Sequence, residues 1–142
     1  MKTLLPLLLL ALLTGCETKK PVTRLIDKEA AAHIRCLRLD ISPPNPAWRK
    51  RLERLYPFDP ACRTTLRITT KDAIVCNSNQ NAPRKALTAF PDSYLRMELE
   101  DRMHPVYSYY IDLQEGVTEE DIERGWQRVR ADLKLGDFRQ KQ

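Results

Sequence analysis

The reading of YLRMELEDRMHPVYSYYIDL, Tyr94 to Leu113, decides the fold. Over Tyr94–Glu100, Leu95, Met97 and Leu99 alternate with charged residues, the period-2 spacing of a strand with one buried and one solvated face. Val106–Leu113 takes up the same alternation after the Asp101–Pro105 loop. It puts Tyr107, Tyr109, Ile111 and Leu113 on one face and Val106, Ser108 and Tyr110 on the other. Two such runs joined by a short polar loop read as an antiparallel hairpin. If the first set is core, Tyr94 and Tyr110 share the outer face as an aromatic patch. Tyrosine offers large contact area at low entropic cost and is enriched at interfaces, so this pair is a candidate partner-binding surface.

Upstream, Cys62, Thr64, Leu66 and Ile68 alternate with Arg63, Thr65, Arg67 and Thr69, which makes another half-buried strand. A turn at Lys71-Asp72 leads to a strand expected over Ala73–Asn77, with Ile74 and Cys76 inward. The segment NSNQNAPRKALTAFP is expected to hold a polar loop and one short helix ended by Pro91. Its amides beside Arg84 and Lys85 suit a glycan or a second chain, although polar loops of this composition also arise without function.

Three helices complete the pattern. VTEEDIERGWQRVRADLKLG, Val117 to Gly136, carries an N-cap at Thr118 with Asp121 three residues on, acidic residues in the first turn and Gly136 as the expected C-cap. Ile122, Trp126, Val129 and Leu133 form its apolar stripe. Gly125 costs about 1 kcal/mol in mid-helix, which implies the close approach of another backbone. NPAWRKRLERLYP gives a helix capped by Asn45, begun by Pro46 and ended by Pro57, with Trp48, Leu52 and Leu55 inward. DKEAAAHIRCLRL reads as a helix capped by Asp27, with Ala30, Ile34, Leu37 and Ile41 aligned; a strand from His33 to Leu39 is the alternative. The expected fold is α+β: a four-stranded, mainly antiparallel sheet with about three helices packed on one face.

The chain of 142 residues has a formal net charge of +5. From Glu17 to Phe90 there are fifteen Lys/Arg against seven Asp/Glu, and from Pro91 onward eight against twelve. The basic half includes the exposed face of the Asn45 helix, where Arg49 and Arg51 form a second candidate contact surface, suited to an acidic partner. No nucleic-acid module is legible.

The opening MKTLLPLLLLALLTGCETKK supplies a positive Lys2 and an apolar run from Leu4 to Leu13 that is too short to span about 30 Å of hydrocarbon. Leu13-Thr14-Gly15-Cys16 resembles the lipobox of bacterial lipoproteins. That resemblance covers the first sixteen or so residues. It implies that Cys16 carries a diacylglycerol, that residues 1–15 are a signal peptide removed on maturation, and that the new amino group is acylated. It also implies an envelope location, with Glu17 pointing to the outer membrane and a periplasm-facing domain. Residues 16–24 are then the lipidated cysteine and a short tether, 25–138 one α+β domain of ordinary single-domain size, and 139–142 a tail.

In an exported chain the remaining Cys36, Cys62 and Cys76 allow one disulfide and one leftover thiol. Cys36–Cys62 is favoured because both lie near element boundaries, with Cys62–Cys76 a close rival. Either would contribute about 3–4 kcal/mol by loop-closure reasoning. No catalytic constellation is expected. His33 and His104 are far apart and no two cysteines have zinc-ligand spacing, so neither a metal nor another cofactor is expected. There is no nucleophile elbow or phosphate-cradling loop. Cys76 with His104, and Glu98, Glu100 and Asp101 as paired carboxylates, are read as a packed thiol and a solvated strand face. The expected function is therefore a non-enzymatic outer-membrane lipoprotein that docks onto or helps assemble an envelope complex of the secretion, pilus or conjugation type, by analogy with small accessory lipoproteins. The rivals are an inhibitor or immunity lipoprotein blocking a periplasm-acting hydrolase, and a small-ligand binder.

Overall fold

A computed structural model describes residues 20–74 and 91–136. Five strands, β1 (Val22–Leu25), β2 (Arg38–Ser42), β3 (Thr64–Lys71), β4 (Ser93–Asp101) and β5 (His104–Leu113), form one sheet in the order β1-β5-β4-β3-β2. Helices α1 (Lys28–Ala32), α2 (Pro46–Leu55) and α3 (Glu119–Leu133) accompany it. The β3–β4–β5 meander is antiparallel, β1 pairs antiparallel with β5, and β2 runs parallel to β3. A parallel neighbour needs a crossover, and α2 supplies it. The architecture is α+β, with a mixed five-stranded sheet in place of the expected four strands.

Two of these strands came from segments read otherwise. The helix expected from Asp27 onward stops at Ala32, although Asp27 does cap it, accepting the Ala30 amide at 2.9 Å. Leu37 and Ile41 fit both a helical stripe and a strand, and Leu39 separates the two readings. It is buried with Ile41 while Arg38 and Asp40 are exposed, as pairing with β3 requires. Long-range pairing outweighs the local helix preference of the alanine run. Val22, at the other sheet edge, pairs with Tyr110, so Val22–Arg24, inside the stretch read as tether, belong to the sheet. Ala73 and Ile74 lie outside any strand, although the Ile74 amide donates to the Asp92 carbonyl at 2.8 Å. The rest of that expected strand with Cys76, the helix before Pro91, the leader 1–15, Cys16 and the tail 139–142 lie outside the described residues.

The core lies between one sheet face and the helices. Leu39 and Ile41 of β2, Leu66 and Ile68 of β3, Leu95, Met97 and Leu99 of β4, and Tyr107 and Tyr109 of β5 join Trp48, Leu52, Ile122, Trp126 and Val129 in one cluster. Trp126 is fully buried and meets Tyr56 edge-on at 5.4 Å and Phe58 at 5.6 Å. Gly125 makes room for side chains and not for another backbone: an added Cβ would fall 2.9 Å from the Met97 methyl and 3.2 Å from the Tyr109 ring. Val106 was expected on the outer face, yet it is buried, because a bulge at Leu99/Glu100 shifts the register and turns it inward. The hairpin between β4 and β5 closes over Arg102 and Met103, both at positive φ, as a two-residue type I′ connection demands.

Polar anchors hold α3 in place. Thr118 and Asp121 form a capping box, and the Arg124 guanidinium donates to Asp121 at 2.6 Å. Burial alone would push the Asp121 carboxyl up, but hydrogen bonds from the Thr118 hydroxyl and amide and from Arg124 hold it below the usual range. The Tyr107 hydroxyl, raised mainly by burial and then by Asp132, donates to Asp132 at 2.7 Å, where Arg128 also binds. The helix ends at Leu133 with Lys134 in the left-handed conformation, so Lys134 and not Gly136 is the C-cap. Cys36 and Cys62 form a disulfide with Cα atoms 5.9 Å apart, tying the chain before β2 to the start of β3.

Candidate functional site

The face of the sheet turned away from the helices is built by the alternate residues of the same strands. Across the register Val22, Tyr110, Arg96, Thr69 and Ser42 form one row, and Arg24, Ser108, Glu98, Arg67 and Asp40 the next. Tyr94 sits beside Asp112 and Lys71 in the row on the other side of Tyr110. Tyr94 and Tyr110 are thus diagonal neighbours across β4 and β5, a separation that aromatic side chains bridge. Their rings stack at 5.6 Å with 29° between planes. The Arg96 guanidinium lies 5.8 Å from the Tyr94 ring and 5.7 Å from the Tyr110 ring, within cation–π range of both.

The charged groups around this cluster are largely paired. Arg67 bridges Asp40 at 3.3 Å and Glu100 at 3.1 Å, linking β2, β3 and β4. Arg38 donates to the Thr65 hydroxyl at 2.9 Å. The Tyr110 hydroxyl donates to Asp112 at 2.7 Å, and that bond, with some burial, raises its pKa and keeps it protonated. Of the carboxylates weighed for acid–base work, Glu100 is held by Arg67 and Asp101 by Arg63 at 3.1 Å. His33 has its Nδ1 2.8 Å from the Glu29 carbonyl oxygen, and His104 is exposed at the start of β5. Among the described residues no three His, Cys, Asp or Glu side chains are grouped to hold a metal.

The second candidate surface lies on the helical layer and is engaged by its own structure. Arg51 donates twice to one Glu123 carboxylate oxygen, at 2.6 and 3.0 Å, joining α2 to α3. Arg49 reaches the Leu39 carbonyl at 3.4 Å and lies 3.7 Å from Glu53. The sequence therefore named the two tyrosines that meet, and two arginines that do not act together. It passed over Arg96. The available signal was its place two residues after Tyr94 on the same strand face, which becomes decisive only once the register sets it opposite Tyr110. No match to this chain is found among known protein families, curated proteins or solved structures.

Proposed function

We propose that this chain is a lipoprotein anchored through Cys16 in the outer membrane, and that it docks, without catalysis, onto a protein complex of the cell envelope. The partner surface is the open face of the sheet around Tyr94 and Tyr110. The observation that carries this reading is the stacked tyrosine pair with Arg96 between solvent and sheet: two half-buried aromatics and an exposed cation. Aromatic and arginine side chains dominate binding energy at interfaces. The lipobox-like Leu13–Cys16 supports the anchor, and stable anchoring takes two acyl chains or more. With β1 starting at Val22, five residues separate it from Cys16 and the connection reaches about 20 Å at most, which holds the domain close to its membrane.

Pull-down from detergent-solubilised envelopes tests the docking. Tyr94→Ala/Tyr110→Ala is expected to fold and to lose its partner, since truncating a buried interface tyrosine costs about 2 kcal/mol or more. Retention of the partner by this variant, with loss in Lys50→Glu/Arg54→Glu, would move the contact to α2. Those two positions are exposed and outside the Arg51–Glu123 pair, so they test α2 without breaking its attachment to α3. Cys16→Ser tests the anchor separately and is expected to leave an unprocessed or soluble form.

A further inference from the structure

We infer that Arg96 is a carboxylate receptor, and that the partner presents to it one aspartate or glutamate side chain seated beside Tyr94 and Tyr110. This rests on the docking proposed above and names its chemistry. On the open face Arg67 is taken by Asp40 and Glu100, and Arg38 by Thr65. Asp112, the acid in the row that holds Tyr94, accepts the Tyr110 hydroxyl. Among the described residues no carboxylate pairs with the Arg96 guanidinium and no side-chain hydrogen bond to it is formed; it lies against the two rings.

A guanidinium held at aromatic faces keeps its N–H donors for other partners, because the rings satisfy its charge and not its five N–H bonds. The stack also limits the rotamers of a side chain that would otherwise lose much freedom on binding. A carboxylate is the planar acceptor that a guanidinium fork fits in a bidentate manner. A protein carboxylate suits the surroundings better than an anionic membrane surface does. Glu98 follows Arg96 on the same strand face, and Asp112 lies one row away. A diffuse negative surface would meet these acids together with the arginine, whereas a single side chain meets the guanidinium alone.

The test uses the full chain in its own envelope. Arg96→Lys puts an amine where the guanidinium was, and a water-soluble carbodiimide then joins amines to carboxylates in direct contact. The expected result is an isopeptide bond from position 96 to an Asp or Glu of another protein, absent from the wild type. Arg96→Gln is expected to weaken capture of that same protein by about 10- to 100-fold, the loss of a charge-assisted hydrogen bond. If position 96 forms no such bond, or Arg96→Gln retains full affinity, while Tyr94→Ala/Tyr110→Ala still loses the partner, the carboxylate contact is wrong and the docking face stands. If the tyrosine variant retains the partner as well, the docking face itself is wrong.

Discussion

On the covered face of the sheet, Leu66, Ile68, Leu95, Met97 and Leu99 are fully buried against Ile122, Trp126 and Val129, while the intervening residues of the same strands form a solvated layer of ion pairs and tyrosines. Each fully buried apolar side chain contributes about 1.5–3 kcal/mol, whereas an exposed ion pair contributes about 0–1 kcal/mol. One strand thus carries two tasks at alternate positions. The fold is secured almost wholly on one side, which leaves the other able to present a binding surface at little cost in stability. Gly125 and Arg96 mark the contrast: the first is required by the packing of Met97 and Tyr109 on the covered face, while the second lies exposed over two tyrosine rings on the open one.

The largest expected effect is on the covered face. Trp126→Ala should destabilise by about 3–5 kcal/mol in chemical denaturation, since it empties the space that the indole fills beside Tyr56 and Phe58. A loss below about 1 kcal/mol would mean that the covered face does not dominate. Overpacking should cost less: Gly125→Val is expected to lose about 1–3 kcal/mol as Met97 and Tyr109 are displaced, and a neutral result would show that the helix-to-sheet spacing is looser than described.

Acid should also act through the covered face. Asp121 and Asp132 titrate below the usual carboxylate range when folded, so their stabilisation is complete above the unfolded carboxylate pKa of about 4. It is lost as pH falls through the folded values. Thr118→Ala should cost about 1 kcal/mol at pH 7. Its deficit should narrow toward pH 2, because it removes a bond that favours the ionised Asp121. A deficit that is constant with pH would separate the cap from the titration. The smallest change in stability, about 1 kcal/mol or less, is expected for Tyr94→Ala/Tyr110→Ala, as measured by the same denaturation.

Short-range patterns were legible in the sequence. Alternation located β3, β4 and β5, and caps located α2 and α3, because those signals lie within a few residues of the elements they specify. Asp27 was also legible as a cap. The length of α1 was not, since Ile34, Leu37 and Ile41 satisfy a helical stripe and only pairing with β3 makes Leu39 inward. β1 is four residues long with Val22 and Leu25 exposed, so no periodicity marks it; its position depends on β5. Val106 was misplaced because a bulge breaks the alternation without a local signature. The Tyr94–Tyr110 pair was legible from strand faces alone, whereas Arg96 needed the register, and the pairing of Arg51 with Glu123, 72 residues apart, needed the packing of two helices.

The account turns on which layer meets the partner, and photo-crosslinking in the intact envelope tests this most directly. A photoreactive residue at Ser108, on the open face one row from Tyr110, is compared with one at Arg54, exposed on α2. A discrete adduct with another protein from position 108 and none from position 54 is the predicted result. An adduct from position 54 alone would place the partner on the helical layer and contradict the account.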